Sequence, residues 1–183
     1  MIKLNIENET SRLRAIVLGT AERNGPIPKI EDCYDPKSIG HILAGTYPLE
    51  EEMTKEVNAV AKVFGKYDVE VYRPDVINNC NQIFARDIAF VIDDILIEAN
   101  VLPHREREVH AIDYIWNQVA EDKRIILPTA CHVEGGDVMP CNDYVFMGMY
   151  SGANYSELIT ARTNIDAVIS IQELFPNKIV KSF

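Results

Sequence analysis

The chain has 183 residues, of which 28 are acidic and 18 are basic, so its formal net charge is −10 at pH 7. With 47% hydrophobic and 25% charged residues, its composition is that of a globular protein, and we expect a single domain spanning residues 1–183. An acidic surface without any block of Lys or Arg repels phosphate backbones, which argues against nucleic acid as a partner.

Neither a membrane segment nor a secretory leader is indicated by the sequence. The longest apolar stretches have the length of strands, whereas a membrane-spanning helix needs about 20 apolar residues. The N-terminus, MIKLNIENE, has no apolar signal-peptide core. The four cysteines form no CxxC pair, so we interpret them as free thiols. These features predict a soluble, cytoplasmic protein with no membrane partner.

The first predicted elements are a strand, a helix and a second strand, followed by a hairpin. The run LRAIVLG (13–19) is typical of a strand that ends a preceding unit. Apolar residues from Leu49 to Phe64 recur at helical spacing and predict an amphipathic helix that stops at Gly65. The alternating run from Val69 to Tyr72 predicts a short strand. After a polar loop, FARDIAFVIDDILIEA (84–99) predicts a strand, an Asp-Asp turn and a strand.

The same order of elements then repeats. The predicted elements are a second helix with its apolar face at 109–119, a strand at 124–127, a hairpin at 137–148, a third helix at 165–175 and a strand at 178–183. Asp87 and Asp137 open the two hairpins 50 residues apart, and an apolar strand directly follows each of them. The chain therefore carries about two complete helix–strand–loop–hairpin units with a part unit at each end, an organisation typical of a radial or stacked array.

In such an array, the loops before the hairpins direct equivalent residues toward one axis. Asp87 and the cluster Glu134–Asp137 are then expected to share one cavity. Carboxylates that repel one another in a partly buried cleft need a cation to neutralise them. A planar guanidinium fits paired carboxylates through parallel hydrogen bonds, whereas a hard metal ion usually needs more oxygen ligands than two loops offer. The favoured ligand is a guanidinium; a metal-dependent hydrolase using Asp87, His132, Glu134 and Asp137 is the weaker alternative.

Five motifs carry a resemblance to a known family. They are NQIFARD (81–87), VIDDILIEA (91–99), RERE (105–108), HVEGGDV (132–138) and ARTN (161–164). In this order and spacing they resemble the motifs of the guanidino-group modifying enzymes, a superfamily of arginine deiminases, dimethylarginine dimethylaminohydrolases and glycine or inosamine amidinotransferases. The resemblance covers most of the chain from about residue 70 to 165. It implies the pentein fold, an α/β propeller of five repeated units.

The resemblance also assigns roles to residues of this chain. It implies that Asp87 and Glu134 are catalytic residues that hold the substrate guanidinium, and that Arg105 and Arg162 bind the α-carboxylate of an amino-acid substrate. An arginine fork suits a carboxylate because it binds both oxygens. The other residues of the implied substrate-binding set are Asn81, Gly135 and Asp137. The implied partner is arginine or a related small guanidine, and the implied mechanism needs no metal or other cofactor.

The chain departs from the family at its catalytic end. The enzymes that it resembles form a covalent amidino intermediate on a cysteine near the C-terminus, with an acid/base histidine in an HxD motif before it. None of the four histidines here is followed two places on by Asp, and no cysteine lies beyond Cys141. The sequence therefore resembles about the first three of five units, and we expect this chain alone to be inactive.

Two functional interpretations remain open. The first is an amidinotransferase or arginine-deiminase-like hydrolase whose catalytic histidine and cysteine lie in a missing C-terminal part, in the same gene product or in a second chain. The second is a non-catalytic, shortened pentein that binds a guanidine or a protein. Because an incomplete propeller leaves unpaired strands and an apolar face, we expect a homo-oligomer or association with the missing part.

Overall fold

Short strands and helices alternate along the chain in the computed structural model, which describes residues 1–33, 35–151 and 163–183. The strands are β1 (Ala15–Val17), β2 (Glu70–Tyr72), β3 (Ala89–Ile92), β4 (Ile95–Glu98), β5 (Arg124–Ile126), β6 (Val138–Cys141), β7 (Tyr144–Met147) and β8 (Ile179–Ser182). The helices are α1 (Pro36–Leu43), α2 (Glu50–Lys66), α3 (Glu106–Val109), α4 (Asp113–Trp116) and α5 (Ile165–Leu174). Within those residues, no helix is both long and apolar enough to cross a membrane.

The strands form small sheets with a repeated topology. β3 and β4 are antiparallel and β5 joins β4 in parallel, and β6, β7 and β8 repeat this arrangement. β1 and β2 form a parallel pair. Helical segments connect the two strands of each parallel pair, since parallel neighbours need a crossover. The fold is therefore mixed α/β, and among the described strands no sheet closes on itself.

Both predicted hairpins are present, and each turns through two residues. The first turn residue is left-handed in both, with φ of 52° at Asp93 and 53° at Asn142. Asp and Asn are among the few non-glycine residues that adopt this conformation readily, and such turns match the twist of the flanking strands. The turns set the closing pairs Ile92–Ile95 and Cys141–Tyr144, which lie 49 residues apart in the sequence.

The N-terminal segment ties the two hairpins together. Ile6 and Asp93 exchange backbone hydrogen bonds of 2.7 and 2.9 Å. The Asn142 N–H donates to the Glu7 carbonyl oxygen at 2.7 Å, and the Asn8 side-chain amide donates to Asn142 Oδ1 at 3.0 Å. Because these bonds reach both turns, residues 6–8 fix the position of one hairpin relative to the other.

The larger core cluster lies between the two three-stranded sheets. The face of the β3–β5 sheet that carries Phe90, Ile92 and Ile97, which we call its front face, is buried in this cluster. The opposing side consists of the back face of the β6–β8 sheet and of α5. Its buried members are Val138, Val145, Met147, Ala167, Val168 and Ile171. The front of one unit is thus covered by the back of the next.

A second core cluster lies between the first parallel strand pair and the unit that follows it in the sequence. Val17 of β1 and Tyr72 of β2 pack against apolar side chains from the segment 88–115, among them Val109 of α3. The first parallel pair therefore lies against the layer that contains α3 and α4. Successive units stack front to back along the described chain.

The helical predictions need two corrections. The helix predicted over 109–119 is divided by a 3-10 turn (His110–Ile112) between α3 and α4. Val109, Ile112 and Ile115 are three residues apart, a spacing that a 3-10 turn also keeps on one face, and all three remain buried. α1 lies outside the predicted elements, although Asp35 caps its first turn by accepting from the Ser38 N–H at 2.8 Å.

Replacing Ile97 by alanine tests the core between the sheets. Ile97 is 0% exposed, so we expect Ile97→Ala to lower the free energy of unfolding by about 2 to 5 kcal/mol. Ile126→Ala is the matched control, because Ile126 is 66% exposed and should change stability by less than about 0.5 kcal/mol. Urea denaturation measures both; equal losses in the two variants would contradict this packing.

Candidate functional site

Two equivalent 3-10 turns meet in the candidate site. The turn Ala85–Asp87 lies directly before β3, and the turn Gly135–Asp137 lies directly before β6. Arg86 joins them, since its Nε donates to the Gly135 carbonyl oxygen at 3.0 Å and its Nη2 donates to the Val138 carbonyl oxygen at 2.6 Å. The Arg86 side chain also pairs with Glu9. The two acidic loops are therefore held side by side.

Glycine is required where the second turn approaches the first. A Cβ atom on Gly135 would overlap the backbone carbonyl oxygen of Arg86, and one on Gly136 would overlap Asp87 Oδ1. Neither glycine has a positive φ. Glycine is therefore needed here because the two backbones approach closely, and not because of an unusual backbone conformation. The Gly-Gly pair lets the loop that carries Glu134 lie against Asp87.

The Arg105 guanidinium lies among three carboxylates. Its Nη1 donates to Asp87 Oδ2 at 2.7 Å and to Glu134 Oε2 at 3.3 Å. Its Nε and Nη2 donate to the two carboxylate oxygens of Glu108 at 2.9 and 2.8 Å, which is a bidentate pair. Arg105, Glu108 and Glu134 are no more than 5% exposed. Asp87 and Glu134, from different units, thus converge on one guanidinium nitrogen.

Several acids surround the charge of Arg105. Its guanidinium faces the carboxylates of Asp87, Glu108 and Glu134. Burial alone lowers the pKa of Arg105, but Glu108, Asp87 and Glu134 outweigh burial and raise that pKa above its ordinary value. Arg105 is therefore a permanent cation.

Thr163 and Asn164 hold the loop that carries Glu134. The fully buried Thr163 donates its hydroxyl proton to Asp137 Oδ2 at 2.7 Å, and its hydroxyl oxygen accepts from the Glu134 N–H at 3.4 Å. Asn164 Oδ1 accepts from the His132 N–H at 3.1 Å. Neither residue was assigned a role from the sequence. Their position in the ARTN motif could have indicated this role.

The other residues of the predicted substrate-binding set do not all lie in the Arg105 cluster. Asn81 is exposed, and its Oδ1 accepts from the Ile83 N–H at 3.2 Å in a local turn. Asp137 bonds to Thr163 and not to the Arg105 cluster. Arg162 lies outside the described residues. The assignment of Arg105 to a substrate carboxylate stays a prediction, because its guanidinium here is bound to protein carboxylates.

The Cys80 thiol near the site is not activated. Burial raises the pKa of the Cys80 thiol and Glu108 raises it further, against the lowering effect of Arg107 and Arg105. A thiol with a raised pKa stays protonated at neutral pH and is a poor nucleophile. Cys131 is buried, and its Sγ lies 3.1 Å from Ser170 Oγ in a hydrogen bond.

The predicted metal site is not assembled in the described part of the chain. Among those residues, no three or more His, Cys, Asp and Glu side chains are grouped so that they could hold a metal ion. Asp87, His132, Glu134 and Asp137 are thus not grouped as metal ligands in this structure. The acidic side chains are engaged instead by Arg105 and Thr163.

Comparison with solved structures identifies the fold. SxtG, an amidinotransferase of the saxitoxin biosynthetic pathway from Microseira wollei, matches 97% of this chain with a TM-score of 0.72 and 17% identity. A citrulline complex of DDAH from Pseudomonas aeruginosa matches 93% with a TM-score of 0.68 and 17% identity. The inosamine-phosphate amidinotransferase StrB1 from Streptomyces griseus matches 100% with a TM-score of 0.68 and 15% identity. The chain has a pentein-type fold.

The pentein-type fold predicted from the motifs is thus confirmed by the comparison of structures. Comparison of sequences found no match. No protein-family profile matches the sequence, and no curated protein matches it either. The chain spans 61% of SxtG, 61% of the DDAH chain and 62% of StrB1. It therefore corresponds to about three fifths of each of these pentein enzymes.

Replacing Arg105 by methionine tests the charge balance of the cluster. The variant leaves three carboxylates without their shared cation, so we expect Arg105→Met to lower the free energy of unfolding by about 3 to 5 kcal/mol. Arg107→Met is the matched control: Arg107 lies two residues away and is exposed, so its loss should be below about 0.5 kcal/mol. Thermal denaturation with calorimetry measures both, and an equally stable Arg105→Met protein would refute the arrangement.

Proposed function

We propose that this chain is the guanidine-binding part of a guanidino-group modifying enzyme, an amidinotransferase or an arginine-deiminase-like hydrolase. One observation carries the proposal: Asp87 and Glu134, from separate loops, both accept a hydrogen bond from a single guanidinium nitrogen. Carboxylates that already bind a protein guanidinium have the geometry to bind a substrate guanidinium. The proposed substrate is arginine or a related guanidine.

The substrate guanidinium would bind beside Arg105 and not in place of it. Arg105 uses Asp87 Oδ2, and no described residue donates a hydrogen bond to Asp87 Oδ1. That oxygen faces Gly136, an exposed residue without a side chain. A second guanidinium there would donate a charge-assisted hydrogen bond to Asp87 Oδ1. Asp87 Oδ1 is therefore the proposed first contact for substrate.

Arg105 acts as a positioning residue in this proposal. A guanidinium has five N–H donors, and those of Arg105 are all directed at protein oxygens: Asp87, Glu134, both oxygens of Glu108 and, at 3.5 Å, the Phe84 carbonyl oxygen. To bind a substrate carboxylate, Arg105 would have to release one of these. Of the two arginines assigned from the motifs, this leaves Arg162 as the proposed ligand of a substrate carboxylate, with Asn81, Gly135 and Asp137 completing the proposed binding set.

Similar solved structures support this chemical class. SxtG and StrB1 are amidinotransferases, and the DDAH structure contains citrulline. By analogy, a cysteine thiolate attacks the guanidinium carbon and an amine leaves, which gives the amidino intermediate. The proposed complete fold has five units, and residues 1–183 form about three of them as a single domain. The catalytic histidine and cysteine come from the remaining part. The proposed location is the cytoplasm.

A second candidate function is a non-catalytic pentein that binds a guanidine or a protein. The observation that favours it is the raised pKa of the Cys80 thiol beside the cluster, which keeps this thiol protonated. The enzyme and the guanidine-binding form of the second candidate both predict guanidine binding by residues 1–183. The two candidates differ in their expected activity once the remaining two fifths of the fold are added. The enzyme then turns over its substrate, whereas the binding module does not.

Binding of arginine to the isolated chain tests the shared claim. We expect Asp87→Asn and Glu134→Gln each to weaken arginine binding by at least about tenfold, because each removes one charge-assisted contact, worth about 1.5 to 3 kcal/mol. Glu106→Gln is the control, since Glu106 is exposed and follows Arg105 in the sequence. Isothermal titration calorimetry measures the affinities; the same affinity in all four proteins would reject the site.

Adding one methyl group at Gly136 tests the proposed contact at Asp87 Oδ1. The new Cβ would displace that oxygen, so Gly136→Ala should weaken arginine binding by moving the Asp87 carboxylate, which can shift because it lies at the end of a side chain. Gly65→Ala, where a Cβ meets nothing within 4 Å, should leave binding unchanged. NMR titration with arginine compares the two, and unaltered binding in Gly136→Ala would exclude this oxygen as the contact.

A further inference from the structure

The Gln82 side chain is buried although it belongs to a polar loop. Residues 75–82 follow β2 without forming a helix or a strand, and within this fully described range Gln82 alone is buried, at 3% exposure. Asn81 directly precedes it, and the turn Ala85–Asp87 begins three residues later. We propose that Gln82 is a positioning residue of the guanidine site, one that fixes Asn81 and Asp87 relative to Arg105. This inference rests on the proposed function, because it assumes that the substrate binds at Asp87.

The side-chain amide of Gln82 joins the end of the loop to its start. Its Nε2 donates to the Asp75 carbonyl oxygen at 2.8 Å, and its Oε1 accepts from the Ile77 N–H at 2.7 Å. An amide donates at one end and accepts at the other, so only this orientation satisfies both backbone partners. An apolar side chain of the same size could fill the space but could not hold the loop in this way.

The start of the loop is itself anchored to the segment that carries Arg105. The Asp75 N–H donates to the Ala111 carbonyl oxygen at 2.8 Å. Ala111 is buried and lies in the 3-10 turn directly after α3, three residues after Glu108. Glu108 is the bidentate partner of Arg105. The backbone of Asp75 therefore connects Gln82 with the segment that holds Arg105.

The backbone of Gln82 is held by a different segment. The Thr20 N–H donates to the Gln82 carbonyl oxygen at 3.0 Å. A Cβ atom on Gly19 would overlap the carbonyl oxygens of Gln82 and Ile83, so the chain after β1 lies directly against these residues. The Arg73 side chain, just after β2, donates to the Gly19 carbonyl oxygen. The side chain and the backbone of Gln82 are thus fixed by separate partners.

The position of Gln82 passes along the chain to the two acids' shared cation. Phe84 follows two residues later, and its carbonyl oxygen accepts from the Asp87 N–H at 3.0 Å and from Arg105 Nη2 at 3.5 Å. Asn81 is the direct neighbour of Gln82 on the other side. Binding residues need support from residues that do not touch the ligand. Gln82 gives that support to Asn81 and to the turn that carries Asp87.

Gln172 makes the same pair of hydrogen bonds outside the proposed site. Its Nε2 donates to the Lys178 carbonyl oxygen at 2.9 Å, and its Oε1 accepts from the Val180 N–H at 3.0 Å. As at Gln82, the two backbone partners are two residues apart. Gln172 lies in α5 and its partners lie at β8. The same substitution at both positions therefore removes the same bonds from different parts of the chain.

Replacement of each glutamine by methionine, which has a similar size and no amide, tests the inference. We expect Gln82→Met to weaken arginine binding several-fold in isothermal titration calorimetry, and Gln172→Met to leave it unchanged. Hydrogen exchange measured by NMR without arginine tests the positioning itself. We expect several-fold faster exchange of the Asp87 N–H in Gln82→Met, and no change there in Gln172→Met. Gln82→Glu is the milder second variant, because it keeps an acceptor for Ile77 and loses only the donor to Asp75; it should show the same two effects.

Three results would overturn the inference. They are unchanged exchange of the Asp87 N–H in both Gln82 variants, unchanged arginine affinity in both, and an equal loss of affinity in Gln172→Met. If arginine binds all the proteins equally, the guanidine site stands and the role of Gln82 is wrong. If the unaltered chain does not bind arginine, the proposed function fails, and hydrogen exchange still decides whether Gln82 positions Asp87.

Discussion

The structure of the site depends on one buried guanidinium. Arg105 neutralises carboxylates that belong to two different units, Asp87 from the first and Glu134 from the second. Each of these acids would be costly to bury alone, because a charge in a low-dielectric interior needs a partner. The Arg105 side chain therefore acts as a cross-link between units, and it also sets the separation of the two acids. The same interaction explains why the proposed substrate is a flat cation.

Repetition explains how the acids come together. Each hairpin begins directly after a 3-10 turn, and the two turns are in contact through Arg86 and the Gly-Gly pair. Front-to-back stacking of the units buries the front of the β3–β5 sheet against the back of the β6–β8 sheet and α5. The same stacking brings the two turns, and with them the two acids, side by side.

Much of this could be predicted from the sequence, for identifiable reasons. The hairpins were predictable because Asp-Asp and Asn-Asp favour the left-handed turn, and the 50-residue repeat then predicted that Asp87 and Glu134 share a site. The division between α3 and α4 was not predictable, because the spacing of Val109, Ile112 and Ile115 fits both an α-helix and a 3-10 helix. The partners of Arg105 were not predictable either: only the RxxE spacing to Glu108 is local, whereas Asp87 and Glu134 lie 18 and 29 residues away in sequence. The roles of Thr163 and Asn164 likewise depend on contacts that span about 30 residues.

The most direct test of this account is a crystal structure of residues 1–183 with bound arginine. The account predicts that the ligand guanidinium lies within hydrogen-bond distance of Asp87 Oδ1, while Arg105 still joins Asp87 and Glu134. Arginine bound elsewhere on the chain, or Asp87 and Glu134 turned away from each other with no shared cation, would contradict it.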